Sequence, residues 1–407
     1  MIATRNAGLT RLAAFLPHMA DDYATRRNYD LGVHSVVSRL SPFLRRRLIT
    51  ESEVVLAALG QHGLPPAAKF IDEVVWRSYF KGWLELRPSI WRDYCDGIAA
   101  DLVGLDPARR KTYDDVLNAR SAIACMDAWV VELTTTGYLH NHARLWFASI
   151  WVFSLGLPWR LGADFFLQHL LDGDPASNTL GWRWVAGLHT PGKTYHARAD
   201  NIATFTNGRL ALDPAQIAPR YPAPAEPDGL PQPRALRDIF APNPKLPTLL
   251  LITEEDCAAP PVDLAALNIR AVVAVTASHL RSPTGLSQHV AAFETAALRD
   301  TTRRLGVADA PIIVANDPDA LIAQAHHAGA TQIVTSFVPT GPLQDWLMAA
   351  MPRIAAAGLC LAEWRRPWDD MIWPDCTAGF FKVKKNIPSY LAMAGLLPAF
   401  DAQKDTK

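Results

Sequence analysis

Gly137-Tyr138-Leu139-His140-Asn141-His142-Ala143-Arg144 opens the stretch that decides how this chain is read. An apolar run follows from Leu145 to Trp159. The stretch closes on Asp172-Gly173-Asp174-Pro175-Ala176-Ser177-Asn178-Thr179-Leu180-Gly181-Trp182-Arg183-Trp184. The two quoted pieces thus bring two carboxylates, two asparagines, two arginines and two tryptophans within fewer than fifty residues. Arginine and aspartate are rarely buried unless paired. An apolar segment carrying them at both edges therefore reads as the wall of a pocket. The run itself is too short to span a membrane, is bounded by Arg144 and Arg160, and carries Gly-Leu-Pro near its end. It reads as a buried core helix.

Outward from that stretch, residues 1–213 read as helical. Apolar residues recur at three- and four-residue spacing in Glu51–Leu59, Ala67–Leu86, Ala122–Leu133 and Leu161–Leu171. Residues 214–247 carry prolines at 214, 219, 222, 224, 227, 231, 233, 242, 244 and 247, a density that forbids helix and central strand and reads as a semi-rigid linker. From 248 to 363 the pattern changes again. Short apolar runs (Thr248–Ile252, Ala271–Val275, Ile312–Val314, Gln332–Thr335, Leu359–Ala362) alternate with helical stretches near Leu286–Leu305, Pro318–His327 and Pro342–Ala357. Continuous apolar strands separated by helices predict a parallel sheet covered on both faces. The expected architecture is an all-helical domain (1–213), the linker (214–247), a smaller Rossmann-like α/β domain (248–385), and a terminal helix packing back on the body with a tail (386–407). The first strand runs into Thr253-Glu254-Glu255-Asp256 with no glycine-rich loop, so a dinucleotide fingerprint or P-loop is absent and a phosphate there would be repelled.

The 407 residues are 49% hydrophobic and 20% charged with zero net charge. That is a globular composition with no overall basic field for nucleic acid. Five scattered cysteines (95, 125, 257, 360, 376) indicate neither a disulfide framework nor a metal or iron–sulfur site. Together with an N-terminus lacking an apolar signal core, they lead to the expectation of a cytoplasmic protein with no membrane partner.

Two further constellations bear on the pocket. Ser35-Val36-Val37-Ser38-Arg39-Leu40-Ser41-Pro42 places hydroxyls and a cation before a helix that could start near Pro42. This is a phosphate cradle or, more plainly, a helix cap. Glu73, Trp76 and Arg77 share one helix face at i, i+3 and i+4. That is a wall for a planar polar ligand, or an ordinary surface ion pair beside a half-buried indole. Arg144 and Asp172, with Asp174 and Asn178, make either a ligand site or a structural polar network.

Taken together and in order, SRLSP (38–42), ExxWRxYF (73–80), TGYLHN (136–141) with Arg144, and DGDxAxNxxGWxW (172–184) resemble the FAD-binding domain of the DNA photolyase/cryptochrome family, over roughly Tyr23 to Leu210. The resemblance implies FAD as cofactor and, for a repair enzyme, UV-damaged DNA carrying a cyclobutane pyrimidine dimer as substrate. It implies that Ser38, Arg39 and Ser41 hold the FAD phosphates, with Leu40 in the same cofactor contact. Glu73, Trp76 and Arg77 would line the cavity between flavin and lesion, with Glu73 bonding a flipped-out pyrimidine pair. Asn141 would sit near both ligands, Arg144 and Asp172 would pair beside the flavin ring, and Asp174 would touch its edge or the ribose. Asn178 would face N5 and donate to the reduced ring. Leu145 and Trp184 would border the substrate. Trp182 would be the first electron donor to the photoexcited flavin and Trp159 the second, with Tyr113 available where the family's third tryptophan is missing. Neither paired histidine position of the (6-4) type is met, since Asn141 and Leu145 stand there.

In this family the α/β domain precedes the helical one. Here an α/β segment follows it and closes on Gly379-Phe380-Phe381-Lys382-Val383-Lys384-Lys385, which resembles the family's end-of-domain signature. A circular permutation is the expectation. The alternatives are a cryptochrome-like receptor acting through a signalling partner, and a flavoprotein without photochemistry. Cations around the pocket mouth, drawn from Arg183, Lys193, Arg198 and Arg209, would favour repair.

Overall fold

Thr50 accepts a hydrogen bond from the Glu53 amide while the Glu53 carboxylate accepts from the Thr50 amide, a capping box that starts the helix Glu51–His62. Pro65 and Pro66 open the next helix, Leu64–Glu85, at the one turn where a missing N–H is harmless. This 22-residue helix is the axis of the helical half. The computed structural model describes residues 1–190, 192–225 and 229–397; the expected tail beyond 397 and linker residues 226–228 lie outside that description. The helix Ala124–Thr136 leads into the pocket, whose walls are completed by Asn141–Ser149, Trp159–His169 and Pro175–Val185. Gly137, at φ 68°, ends the first of these in the left-handed conformation that favours glycine. The apolar run after Arg144 does not stay one α-helix: it continues as a π-turn over Ile150–Ser154 before Pro158 resets the chain. All strands among the described residues come after position 247, as the spacing predicts.

Five strands, β1 (Thr248–Thr253), β2 (Ile269–Thr276), β3 (Ile312–Val314), β4 (Gln332–Ser336) and β5 (Cys360–Trp364), form one parallel sheet in the order β3-β2-β1-β4-β5. Alternation along β1 splits its side chains between two cores. Leu249 and Leu251 pack with Leu321, Leu343, Leu347 and Ile354 on one face. Leu250 and Ile252 join Val290, Phe293 and Leu298 in a core continuous with the helical half. The two predicted domains therefore share apolar interior rather than merely touching. The final helix, Ile387–Met393, packs back through Ile387, Tyr390 and Leu391. At Gly82 the axial helix meets the turn around Trp373 so closely that a Cβ would lie 2.9 Å from the Trp373 Cα. The proline-rich linker is strapped down: Arg220 and Tyr221 amides donate to the Phe153 carbonyl, the Arg234 amide to Leu86, and Arg237 pairs with Glu363 of β5.

The acidic loop after β1 has a different role from the one its sequence implies. Glu254, Glu255 and Asp256 are buried against the consecutive arginines 45–47 of the helical half. Glu255 accepts from Arg45 at 2.7 Å, and Glu254 pairs with Arg46 at 3.1 Å and Arg281 at 2.7 Å. Asp256 pairs with Arg366, and Arg47 with Asp369. Breaking one such buried pair by removing a single partner costs about 3–5 kcal/mol, because the other charge is left uncompensated.

Glu294, on the helix Gln288–Arg304, accepts from the Ala277 and Ser278 amides and the Ser278 hydroxyl at the edge of this network. Burial, and then the like charge of Glu254, push its carboxyl up to about 7. A raised folded-state value means that this group's stabilisation is complete below its unfolded value and is lost as pH rises through the folded one. Urea unfolding from about pH 5 to pH 8 is expected to show a one-proton loss of stability, and Glu294→Gln to flatten it. An unchanged slope in the variant would assign the proton elsewhere.

Candidate functional site

Between the axial helix and the Asn141–Ser149 and Pro175–Val185 helices lies a cavity of about 640 Å³. Of the residues singled out by sequence, Ser38, Arg39, Leu40, Ser41, Glu73, Trp76, Arg77, Asn141, Arg144, Leu145, Asp172, Asp174, Asn178, Trp182 and Trp184 all line it, and Trp159 does not.

Arg144 reaches both Asp172 oxygens, at 3.0 and 2.9 Å, and its Nε donates to the Leu139 carbonyl. Burial works against the cation, but Asp172 outweighs it and the guanidinium pKa lies above its usual value. Ser41 donates its hydroxyl to Asp172 at 2.5 Å. That corrects the expected cradle: the Ser41 side chain orients a carboxylate, and the helix it opens, Ser41–Arg45, is only five residues long. What remains free is Arg39. Its backbone sits at φ 52°, its guanidinium lies 4.9 Å above the Tyr138 ring, and its buried Nε has no protein partner.

Asp174 is 1% exposed. Its Oδ1 caps the helix Pro175–Val185 by accepting from the Ala176 and Ser177 amides, both at 3.0 Å. Its Oδ2 faces Lys81 at 3.0 Å, Arg77 at 3.4 Å and Arg45 at 3.5 Å. Against the desolvation of burial, these cations hold the carboxyl far below the usual range. The expectation that Asp174 touches a ring edge or ribose is therefore corrected: both oxygens are engaged by protein. Arg77 likewise turns to Asp174, the Arg45 carbonyl and Glu51. Lys81, missed in the sequence, lies four residues beyond Arg77 on the same helix face, a signal that was available.

The Asn178 amide nitrogen donates one of its two hydrogens to the Ala163 carbonyl at 2.8 Å, leaving the other N–H and Oδ1 for a ligand in the cavity. Glu73 forms an ion pair with Arg27, another cavity residue that no sequence pattern marked. Burial nevertheless raises the Glu73 pKa, with Arg27 opposing. Trp76 offers at most one face, because Phe380 stacks on it at 3.8 Å.

Trp182 has a buried, unpartnered Nε1 and stands in ring contact with Phe166 (5.1 Å), Trp151 (6.1 Å) and Phe147 (6.3 Å). Gly162 lets it lie flat, since a Cβ there would collide with the indole. Trp151 in turn meets Tyr113 at 5.9 Å. The ring neighbour of Trp159 is Tyr94, with the Arg160 and Arg183 guanidiniums over its indole. By ring contact Trp182 adjoins Trp151 rather than Trp159, the residue expected as second donor. Among the expected mouth cations, Arg183 is buried at 2% exposure, Arg198 pairs with Asp200 and Arg209 with Asp30.

The cavity accepts FAD on its own chemistry. Leu145, Ala148, Phe166 and Val185 give it an apolar wall for a ring system. Arg39, whose buried Nε has no partner among the described residues, and Ser38 would offer a cation and a hydroxyl to phosphates. Its volume lies within the range of small-molecule sites.

Comparison with known proteins agrees. Residues 70–210 match the model of the FAD binding domain of DNA photolyase. A deoxyribodipyrimidine photo-lyase of Streptomyces griseus is 33% identical over 181 residues, 40% of this chain and 38% of that protein. One from Thermus thermophilus is 31% identical over 203 residues, 46% and 44% of the two chains. The chain thus spans less than half the length of these relatives. A bacterial class III photolyase from Agrobacterium tumefaciens superposes with a TM-score of 0.41 at 24% identity, covering 50% of this chain and 44% of that one. With the motifs in order around one cavity, segment 70–210 of the helical half is similar to the FAD binding domain of DNA photolyase, a domain whose cofactor is FAD.

Proposed function

We propose that this chain is a blue-light-dependent lyase that splits cyclobutane pyrimidine dimers in UV-damaged DNA. The observation that carries the reading is a single cavity lined both by Trp182, Asn178 and the Arg144–Asp172 pair and by Glu73, Trp76 and Asn141. Reduced FAD, excited by light, would supply the electron that opens the cyclobutane ring and take it back afterwards. The protein's own part is placement. Arg144, steadied by Asp172, favours negative charge beside it. Asn178, fixed by Ala163, presents Oδ1 to an N–H donor. Glu73, its pKa raised by burial, offers a carboxyl to pyrimidine edges once it exchanges Arg27 for the lesion. The dimer must leave the duplex to enter, at a cost of about a few kcal/mol.

The expected result is light-dependent recovery of thymine from a dimer-containing oligonucleotide by reduced protein, and none in the dark. A second reading, a cryptochrome-like receptor, is favoured by one observation: of the four expected mouth cations, Arg198 and Arg209 are paired, Arg183 is buried, and Lys193 alone is exposed with no ion pair among the described residues. Normal flavin photochemistry without thymine recovery would decide for that reading. We also infer that the α/β unit is the family's leading domain moved behind the helical one. Support comes from its parallel β3-β2-β1-β4-β5 order and from the Phe380–Lys385 helix that follows its last strand.

A further inference from the structure

We infer that Glu255, a residue of the α/β domain, is a positioning residue for the flavin pocket of the helical domain. The chain of contact is short and buried. Glu255 Oε1 accepts from Arg45 at 2.7 Å and Oε2 from Lys81 at 3.2 Å. Both cations also face Asp174 Oδ2, Lys81 at 3.0 Å and Arg45 at 3.5 Å. Asp174 Oδ1 caps the helix that carries Asn178 and Trp182 into the cavity. Arg45 adds a second hold, donating from Nε to the Gly173 carbonyl at 2.9 Å.

Charge requires the bridge. Arg77 also has Glu51 and Arg45 also has Glu254, each at 3.6 Å, but the ammonium of Lys81, 6% exposed, pairs only with Asp174 and Glu255 among the described residues. An uncompensated buried cation draws its remaining anion toward itself or draws in water. Without Glu255, then, Lys81 and Arg45 would compete for Asp174 Oδ2 and pull on the carboxylate that holds the helix start. The α/β domain is consequently part of the cofactor site, although none of its residues lines the cavity.

This inference rests on FAD being the ligand, and its test separates the two. Purified full-length protein is stripped of flavin and titrated with FAD, and the visible spectrum of the bound flavin is recorded. Glu255→Gln is expected to raise the FAD Kd by about tenfold, equal to about 1.4 kcal/mol, and to alter the fine structure of the bound-flavin absorption. Asp256→Asn removes the same charge from the same interface, but from partners (Arg366 and Arg47) that do not touch Asp174, and is expected to leave both nearly unchanged. If Glu255 acts through Lys81, Glu255→Gln combined with Lys81→Met will be no worse than Lys81→Met alone. Parent protein that binds no FAD would remove the cofactor reading itself. Parent-like affinity and spectrum in Glu255→Gln, equal losses in Glu255→Gln and Asp256→Asn, or strict additivity with Lys81→Met would each overturn the inference. Should Glu255→Gln fold poorly, Glu255→Asp, which keeps the charge at a shorter reach, is expected to fall between parent and Gln.

Discussion

Asp174→Ala is expected to destabilise the protein by about 3–5 kcal/mol, the cost of leaving buried cations without their anion, and to abolish retention of FAD through purification. Three cations converge on one Oδ2, and the other oxygen starts a helix. Asp174→Asn separates the two tasks. Asparagine caps about as well as aspartate, so its loss reports charge alone and should recover about 1 kcal/mol relative to alanine. Denaturant unfolding of the three proteins checks this. Losses within experimental error of zero for both variants would show that the cations rearrange freely.

Trp151→Phe is expected to lower the quantum yield of flavin photoreduction by at least about tenfold, whereas Trp159→Phe changes it by less than about twofold, 1.4 kcal/mol of barrier being worth tenfold in rate. Phenylalanine keeps the packing but is far harder to oxidise than an indole. Trp182 meets Trp151 edge to face, and Trp151 meets Tyr113, which is 6% exposed and so brings the relay close to solvent. The measurement is flash photolysis of oxidised protein with an external reductant. A larger loss in Trp159→Phe than in Trp151→Phe would restore the assignment made from motif spacing.

Which indole adjoins Trp182 is a matter of helix phase. Trp151, Trp159 and Trp182 were all visible as tryptophans in the helical half. Between the first two, however, the chain passes through the π-turn at Ile150–Ser154 and the break at Gly156-Leu157-Pro158. Each interruption rotates the faces that follow, so no count along the sequence says which indole points at Trp182. The parallel sheet was legible because fully buried strands are continuous apolar runs, and Leu249 to Ile252 are buried throughout. Its helices ended within a few residues of their proline and glycine signals for the same local reason. Arg45, Arg46 and Arg47 were not legible as a site feature: their partners in the acidic loop lie some two hundred positions away, beyond any local pattern. Glu254 to Asp256 were misread as repelling a ligand, since a run of like charge reveals nothing of the opposite run folded onto it.

Phe380 on Trp76 has a consequence for how the protein is made. The helical half leaves the ribosome first, and the phenylalanine that stacks on the cavity residue Trp76 follows roughly 170 residues after its boundary at 213. At about 5–20 residues per second, that is an interval of about ten to thirty seconds. During it, Trp76 has a bare face, Arg46 faces no acid, and Arg45 and Arg47 keep only Asp174 and Glu51 of their buried partners. The nascent half must be sheltered or remain partly unfolded until the sheet arrives, so cofactor loading becomes one of the last events of synthesis.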